Sequence, residues 1–163
     1  MKCRVRGIFA AWVIPAGAGL CLLGSASRLA FGDEPVSPQA AIDTRRAGFK
    51  KMGAAMKALS EQLRNDAPDV PKLVAASQAI MMGAGQVPHW FPAGTDNSTG
   101  LDTDALPNIW KDRGKFDSLA SQLGAETKTL ATTTAGGDLA MIRSQTKTVQ
   151  AVCKSCHDSF RAD

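Results

Sequence analysis

Apolar residues three and four positions apart recur along most of the chain, and this spacing restricts it to helices packed against one another. The run at the carboxyl end is the clearest; its members are Leu139, Ile142, Thr146, Val149, Cys153, Cys156 and Phe160. No alternating apolar pattern is long enough for a strand. Aromatic residues make up only 6% of the chain, and tyrosine is absent. The residues available to form a core are therefore mainly aliphatic, which favours helices over strands.

Capping and breaking residues divide this pattern into four helices. Ser37 before Pro38 predicts the start of the first helix, and Asp69 to Pro71 the start of the second. A third helix is predicted from about Ile109 to Gly136, and the last from Asp138 to the carboxyl end. Residues 83–107 are rich in proline and glycine and predict a long connection. Such connections are usually functional or disordered, and His89, Trp90 and Phe91 indicate that this one packs against the bundle. The predicted fold is all-α, an antiparallel four-helix bundle.

The first 32 residues have the three parts of a secretory signal peptide. Three cations precede an apolar run from Ile8 to Leu23, and small residues follow, with cleavage expected after Ala26 or Gly32. A retained membrane anchor is the alternative, but Pro15 and several glycines make a poor spanning helix. The chain therefore divides into a cleaved segment, residues 1–32, and a mature domain, residues 33–163.

The apparent basicity belongs to this amino-terminal segment. The whole chain has 19 basic and 15 acidic residues, and four of the cations but none of the acids lie in residues 1–32. The mature chain is thus formally neutral, with 15 of each. We expect no nucleic-acid partner and, after cleavage, no membrane association. The neutral charge also gives no strong field to steer a redox partner, which stays unidentified.

The chemistry-bearing motif is Cys153-Lys154-Ser155-Cys156-His157, the attachment pattern of a c-type haem. On a helix, the two cysteines share a face and each can form a thioether with a haem vinyl group. His157 follows on the same side, where it can coordinate the iron. The sequence predicts one covalently bound haem c near the end of the last helix.

Three other sites use the same residue types. A thioredoxin-like pair needs the amino terminus of a helix, whereas Cys153 lies near a carboxyl end. A zinc site needs four ligands, and the mature chain adds only His89 as a further soft one. A disulfide between Cys153 and Cys156 leaves His157 without a role. Haem attachment is the prediction that uses all three residues.

Four segments together resemble the cytochrome c′ family, the class II c-type cytochromes, over essentially all of the mature chain. The segments are Arg45-Arg46-Ala47-Gly48-Phe49-Lys50, Trp90-Phe91-Pro92, Asn108-Ile109-Trp110-Lys111-Asp112 with Phe116, and Cys153-Lys154-Ser155-Cys156-His157-Asp158-Ser159-Phe160-Arg161. The resemblance implies a four-helix bundle with one haem. It also implies that Trp90 and Trp110 pack near the haem or between helices.

In this family, the residue four positions after the first-helix arginine faces the distal side of the iron. That residue is Phe49, which has no lone pair for a metal, so the resemblance implies five-coordinate, high-spin iron with His157 as the only protein ligand. The bulk of Phe49 also fits a core position that covers the distal face. Met52, one turn on, is the alternative sixth ligand, and His89 a weaker one.

The resemblance also assigns three arginines. Arg45 falls on the apolar stripe of the first helix, where an unpaired charge is costly, and the family match places it at a haem propionate. Arg46 replaces the family's common glutamine and either reaches the same group or faces water. Arg161 matches an arginine on the proximal side and either covers His157 or offsets the helix dipole from solvent.

Two functions follow from such a site. An open iron position under an apolar lid suits nitric oxide and carbon monoxide, whereas Phe49 offers dioxygen no hydrogen bond. The alternative is a six-coordinate, low-spin electron carrier with Met52 on the iron. No catalytic set is present, so we do not expect an enzyme. Haem attachment and export together predict a periplasmic location. The family's homodimers, formed through the first two helices, leave a homodimer open here.

Overall fold

The computed structural model describes residues 36–162, and the described residues are almost entirely helical. The helices are α1 (Pro38–Arg64), α2 (Val70–Gln86), the short α3 (Asn108–Lys111), α4 (Arg113–Gly136) and α5 (Leu139–Phe160). The four long helices form a bundle, which confirms the predicted all-α fold class. The predicted signal peptide, residues 1–32, lies outside the described residues, so the division at residue 32 stays a prediction.

The predicted helix starts are confirmed by their caps. Ser37, Asp69 and Asp138 each accept a hydrogen bond on the side chain from backbone N–H groups in the first turn of α1, α2 and α5. These bonds satisfy donors that have no partner inside the helix. Gly137 ends α4 in the left-handed conformation, with φ of +76°, which glycine adopts without a steric penalty.

The predicted third helix is two helices. The backbone breaks at Asp112, with φ of −120° and ψ of 57°, and its side chain then accepts a hydrogen bond from Lys115 N to begin α4. The aspartate competes with helical hydrogen bonding and favours a new start. The sequence pattern missed this because Ile109 and Phe116 are both buried and continue the apolar stripe across the break.

The connection after α2 was predicted to begin at residue 83, but it begins after Gln86, because Gly83 and Gly85 both lie within α2. Gly83 is there for close packing. A Cβ added at Gly83 would lie 2.3 Å from Cγ of Met52 and 2.7 Å from its Sδ. The connection then contains two single-turn 3₁₀ helices, Val87–His89 and Asn97–Thr99.

The core lies between α1, α2, α4 and α5 and is mainly aliphatic, as the composition predicted. Its fully buried side chains include Ile42, Leu59, Leu73, Ile80, Leu130, Ile142 and Val149. Phe116 adds an aromatic contact with Phe160, with ring centroids 5.4 Å apart. Among residues 36–162, no helix combines the length and the apolarity that crossing a bilayer requires.

Candidate functional site

A cavity of about 530 Å³ lies among the helices and is bordered by α1, α2, α4, α5 and the connection between α2 and α3. Its walls are mainly apolar, with Ile80, Phe91, Phe116 and Leu123 among the lining side chains. Its volume lies within the range of about 300–1,000 Å³ that is typical of ligand and cofactor pockets. The cavity is therefore large enough for a prosthetic group, and the polar side chains that line it determine which group it can hold.

The structure brings the three residues of the predicted attachment motif to this cavity. Cys153, Cys156 and His157 all line it from the last two turns of α5. Both cysteines are half-buried free thiols, and burial raises the pKa of each. His157 is exposed to solvent on the side away from its neighbours, but desolvation by the surrounding atoms and the nearby Arg161 lower its pKa. A lowered pKa favours neutral imidazole, the form that binds a metal.

The competing sites find no support among the described residues. Cys153 and Cys156 are not joined as a disulfide. Residues 36–162 hold no group of three or more histidine, cysteine, aspartate and glutamate side chains that is arranged to bind a metal ion. A zinc site with three such ligands is therefore not assembled around the motif.

Phe49 lines the same cavity from α1, as the distal assignment requires. It packs against two aromatic rings of the connection, with centroids 5.1 Å from Trp90, edge to face, and 6.2 Å from Phe91. Its protein neighbours cover it only in part, and 36% of its surface is exposed. It lies at the rim of the cavity, next to the exposed Lys50.

The two alternative sixth ligands are placed differently. Met52 also lines the cavity and is only 7% exposed, with its Cγ and Sδ close to Gly83 of α2. His89 is exposed in the 3₁₀ turn after α2 and does not line the cavity. The structure thus leaves Met52, and not His89, beside the site.

Arg45 is the buried charge of α1 that the apolar stripe predicted, with 3% of its surface exposed, and it lines the cavity. Its guanidinium donates to Thr95 Oγ1 at 2.7 Å, to the Thr95 carbonyl oxygen at 2.5 Å and to the Thr103 hydroxyl. The guanidinium also lies over the Phe91 ring, 5.0 Å from its centroid. Burial, followed by the nearby Arg46, lowers the pKa of Arg45.

Arg46 and Arg161 line the cavity too, but each forms an ion pair with an aspartate. Arg46 bonds Asp102 at 2.9 Å, and Arg161 lies 3.4 Å from Asp104. The side chains of both arginines are about half exposed to solvent, and exposed ion pairs contribute little stability on their own. Both arginines are thus directed to the connection between α2 and α3.

We call residues 90–107, which run from the end of the first 3₁₀ turn to the start of α3, the strap. The strap joins the carboxyl end of α5 through backbone bonds, from Leu106 N to the Phe160 carbonyl at 3.0 Å and from Ala162 N to the Asp104 carbonyl at 2.8 Å. The sequence predicted a long, packed connection over residues 83–107, which includes the strap. It gave no signal for Thr95 and Thr103, because their partner Arg45 lies 50 and 58 positions away.

Comparison with known proteins places this site in a family. A family model described as cytochrome C′ matches residues 40–161. The chain belongs to the cytochrome c′ family. The cytochrome c′ of Rhodopseudomonas palustris is 40% identical over 149 residues, which cover 89% of this chain and 92% of the relative.

Two further similarities extend this result. A cytochrome c-556 of Agrobacterium tumefaciens is 30% identical over 121 residues, which cover 74% of this chain and 95% of that protein. The crystal structure of cytochrome c′ from Thermochromatium tepidum is 29% identical and superposes with a TM-score of 0.75, covering 80% of this chain and all of that one. The resemblance found in the sequence is thereby confirmed.

Membership of the cytochrome c′ family establishes the cofactor and the broad function. The family binds one covalently attached haem c, is periplasmic, and contains proteins that bind gases or carry electrons rather than enzymes. Some members form dimers. The cavity fits this group, because two cysteines, a histidine and a buried arginine border a space whose walls are mainly apolar.

Proposed function

We propose that Cys153 and Cys156 form the two thioether links to the haem and that His157 is its axial protein ligand. The observation that carries this proposal is the placement of all three side chains on one cavity, from successive turns of α5. The lowered pKa of His157 supports neutral imidazole as the resting form. The bound haem supplies iron that takes up an electron or a diatomic gas.

We further propose that Phe49 is the distal residue and that the iron is five-coordinate and high-spin. Phe49 faces the cavity from α1 and offers it only carbon and hydrogen. Its contacts with Trp90 and Phe91 hold the ring at the rim of the cavity. In that position the ring admits only small, uncharged molecules to the iron. Nitric oxide and carbon monoxide meet this requirement, and neither depends on a distal hydrogen-bond donor. The proposed function is the binding of these gases.

Arg45 is the proposed partner of a haem propionate. Arg45 lines the cavity and is buried, and its guanidinium bonds only uncharged oxygen atoms among the described residues. Asp96 is the nearby opposite charge, but no carboxylate among residues 36–162 bonds the guanidinium. A buried charge without a bonded counter-charge is costly, and a carboxylate in the cavity would reduce that cost. Arg46 and Arg161 already contact Asp102 and Asp104, so we assign them to the strap and give them only a secondary part at the haem edge.

Met52 supports a second candidate function, electron transfer by six-coordinate, low-spin iron. Its thioether sulfur belongs to a side chain that lines the cavity. The close contact between this side chain and Gly83 favours packing against α2 over coordination. Electron transfer without a methionine ligand also remains compatible with five-coordinate iron.

The test is the visible spectrum of the purified ferrous protein before and after addition of carbon monoxide or nitric oxide. We expect a broad high-spin spectrum that changes sharply with gas, both in the wild type and in the matched variant Met52→Leu. Sharp low-spin bands that ignore carbon monoxide, and that Met52→Leu abolishes, would assign the sixth position to Met52. In the reciprocal variant Phe49→Met, the introduced thioether converts the spectrum to the low-spin form if residue 49 faces the iron.

We also propose that residues 1–32 direct export to the periplasm and are removed there. The sequence pattern supports this, and the family's periplasmic location agrees with it. The mass of the mature protein distinguishes cleavage after Ala26 from cleavage after Gly32, and an uncleaved mass contradicts the proposal.

Sedimentation of the mature protein with and without carbon monoxide determines whether it forms a homodimer, the assembly that some family members adopt.

A further inference from the structure

The strap supplies every hydrogen bond that the Arg45 side chain makes among the described residues. Three donor contacts run from its two terminal nitrogens to Thr95 and Thr103. Both threonines lie far from Arg45 in sequence, and Thr95 is fully buried. The orientation of the guanidinium is therefore fixed by the strap and not by its own helix.

The guanidinium of Arg45 has N–H donors that no protein acceptor uses among the described residues. A guanidinium has five N–H groups, and three of them are used by the two threonines. The acceptors are two hydroxyls and a carbonyl, so the positive charge is not neutralised by any of them. One N–H on Nε and one on Nη1 remain, with the positive charge, to bond a carboxylate in the cavity, and hydrogen bonds between charged partners are stronger than neutral ones.

Both threonine hydroxyls are themselves held in place. Thr95 Oγ1 donates to the Pro92 carbonyl at 2.9 Å, which leaves its lone pairs for Arg45. Thr103 Oγ1 accepts a hydrogen bond from Ala105 N at 3.2 Å. Ala105 in turn accepts a bond from Asn97 N at 2.9 Å through its carbonyl, which closes the strap on itself. Oxygen atoms fixed in this way set the direction of the guanidinium with little freedom.

We infer that Thr95 and Thr103 are positioning residues, which orient the Arg45 guanidinium toward a haem propionate and so link the strap to the electrostatics of the iron. This inference rests on the proposed role of Arg45. Ferric haem has one more positive charge than ferrous haem, so a fixed cation nearby favours reduction. A guanidinium that turns away from the haem lowers the reduction potential.

The test is a double-mutant cycle in which the reduction potential of the haem-loaded protein is measured for the wild type, Thr103→Val, Arg45→Met and the double variant. Thr103 is only half-buried, so Thr103→Val removes the hydroxyl with little change in packing, and Thr103→Ser is the control that keeps it. We expect Arg45→Met to lower the equilibrium constant for reduction about tenfold, which is about 59 mV for one electron. We expect Thr103→Val to lower it about threefold, Thr103→Ser to leave it unchanged, and Thr103→Val to add nothing in the Arg45→Met protein.

The outcomes separate this inference from the proposal on which it rests. If Arg45→Met lowers the potential but Thr103→Val does not, the positioning role is overturned and the propionate role of Arg45 stands. An equal effect of Thr103→Val with and without Arg45 also overturns positioning. If Arg45→Met leaves the potential unchanged, both roles fall. Should Arg45→Met not yield folded protein, Arg45→Lys replaces it, and the effect of Thr103→Val is then expected to shrink because the ammonium lacks the guanidinium fork.

Discussion

Gly48 of α1 lies against the indole ring of Trp90, and the variant Gly48→Ala tests this contact. A Cβ built at residue 48 would lie 2.2 Å and 2.3 Å from two carbon atoms of the ring and 2.9 Å from a third. Ordinary contact between carbon atoms needs at least about 3.5 Å, so the ring must retreat by more than an ångström. Trp90 also packs edge to face on Phe49, which opposes that movement.

Two opposing effects determine the change in stability. Alanine is better than glycine inside a helix by about 1 kcal/mol. Overpacking costs about 1–3 kcal/mol, and we take the upper end because the displaced group is a rigid ring held by a neighbour. The net expectation is a loss of about 2 kcal/mol in the free energy of unfolding, which lowers Tm by roughly 8 °C for a domain of this size.

The assay is thermal unfolding of the haem-loaded protein, followed by far-ultraviolet circular dichroism, in two backgrounds. In the wild type, Gly48→Ala lowers Tm. In a Trp90→Leu background the ring atoms are gone, so the same change should become stabilising by about 1 kcal/mol. Gly124→Ala in α4 is the matched control, because a Cβ at residue 124 meets nothing within 4 Å, and it should raise Tm in both backgrounds.

The reversal of sign is the decisive result. A Gly48→Ala protein whose Tm rises as much as that of Gly124→Ala would show that α1 and Trp90 are not in close contact. A loss that persists unchanged in the Trp90→Leu background would assign the cost to some other neighbour of Gly48. Either result refutes the packing from which the position of Phe49 at the cavity rim is argued.

Two further predictions concern groups remote from the cavity. Lys72 lowers the pKa of Asp69 through its ammonium group, 2.9 Å from the carboxylate, and through its backbone N–H. The ionised Asp69 therefore stabilises the fold at pH values above the pKa that Asp69 has in the unfolded chain. This stabilisation is lost as the pH falls through the lower pKa of Asp69 in the folded protein. Asp69→Asn, which keeps the cap, should therefore be less stable than the wild type at neutral pH, and the difference in denaturant midpoint should vanish in acid; a difference independent of pH would contradict this assignment. Ser77 and Thr134, both fully buried, share a hydrogen bond of 2.7 Å between α2 and α4. Ser77→Ala should cost about 1 kcal/mol in the free energy of unfolding measured by denaturant titration, and an effect no larger than that of the exposed control Thr132→Ala would exclude a stabilising role for the bond.

Much of the fold could be predicted because its signals are local. Caps at Ser37, Asp69 and Asp138 act within one helical turn, so they are readable from neighbouring residues. The break at Asp112 was missed because buried residues on both sides keep the helical spacing, and only the backbone conformation separates α3 from α4.

The candidate site divides in the same way. Cys153, Cys156 and His157 are close together on one helix, so their spacing alone predicts that they share a surface. The contacts of Phe49 with Trp90 and Phe91 could not be predicted from its place on the apolar stripe, since both partners lie in a connection that follows another helix.

The sequence was sufficient to predict a helical bundle that carries one covalently attached haem. It was sufficient because helical spacing and the attachment motif are properties of adjacent residues. The three-dimensional packing was needed to find what Arg45 contacts, which aspartates pair with Arg46 and Arg161, and how the strap borders the cavity. These contacts join residues about 50 or more positions apart. Their geometry is set by how the helices and the strap pack, and no local pattern encodes that.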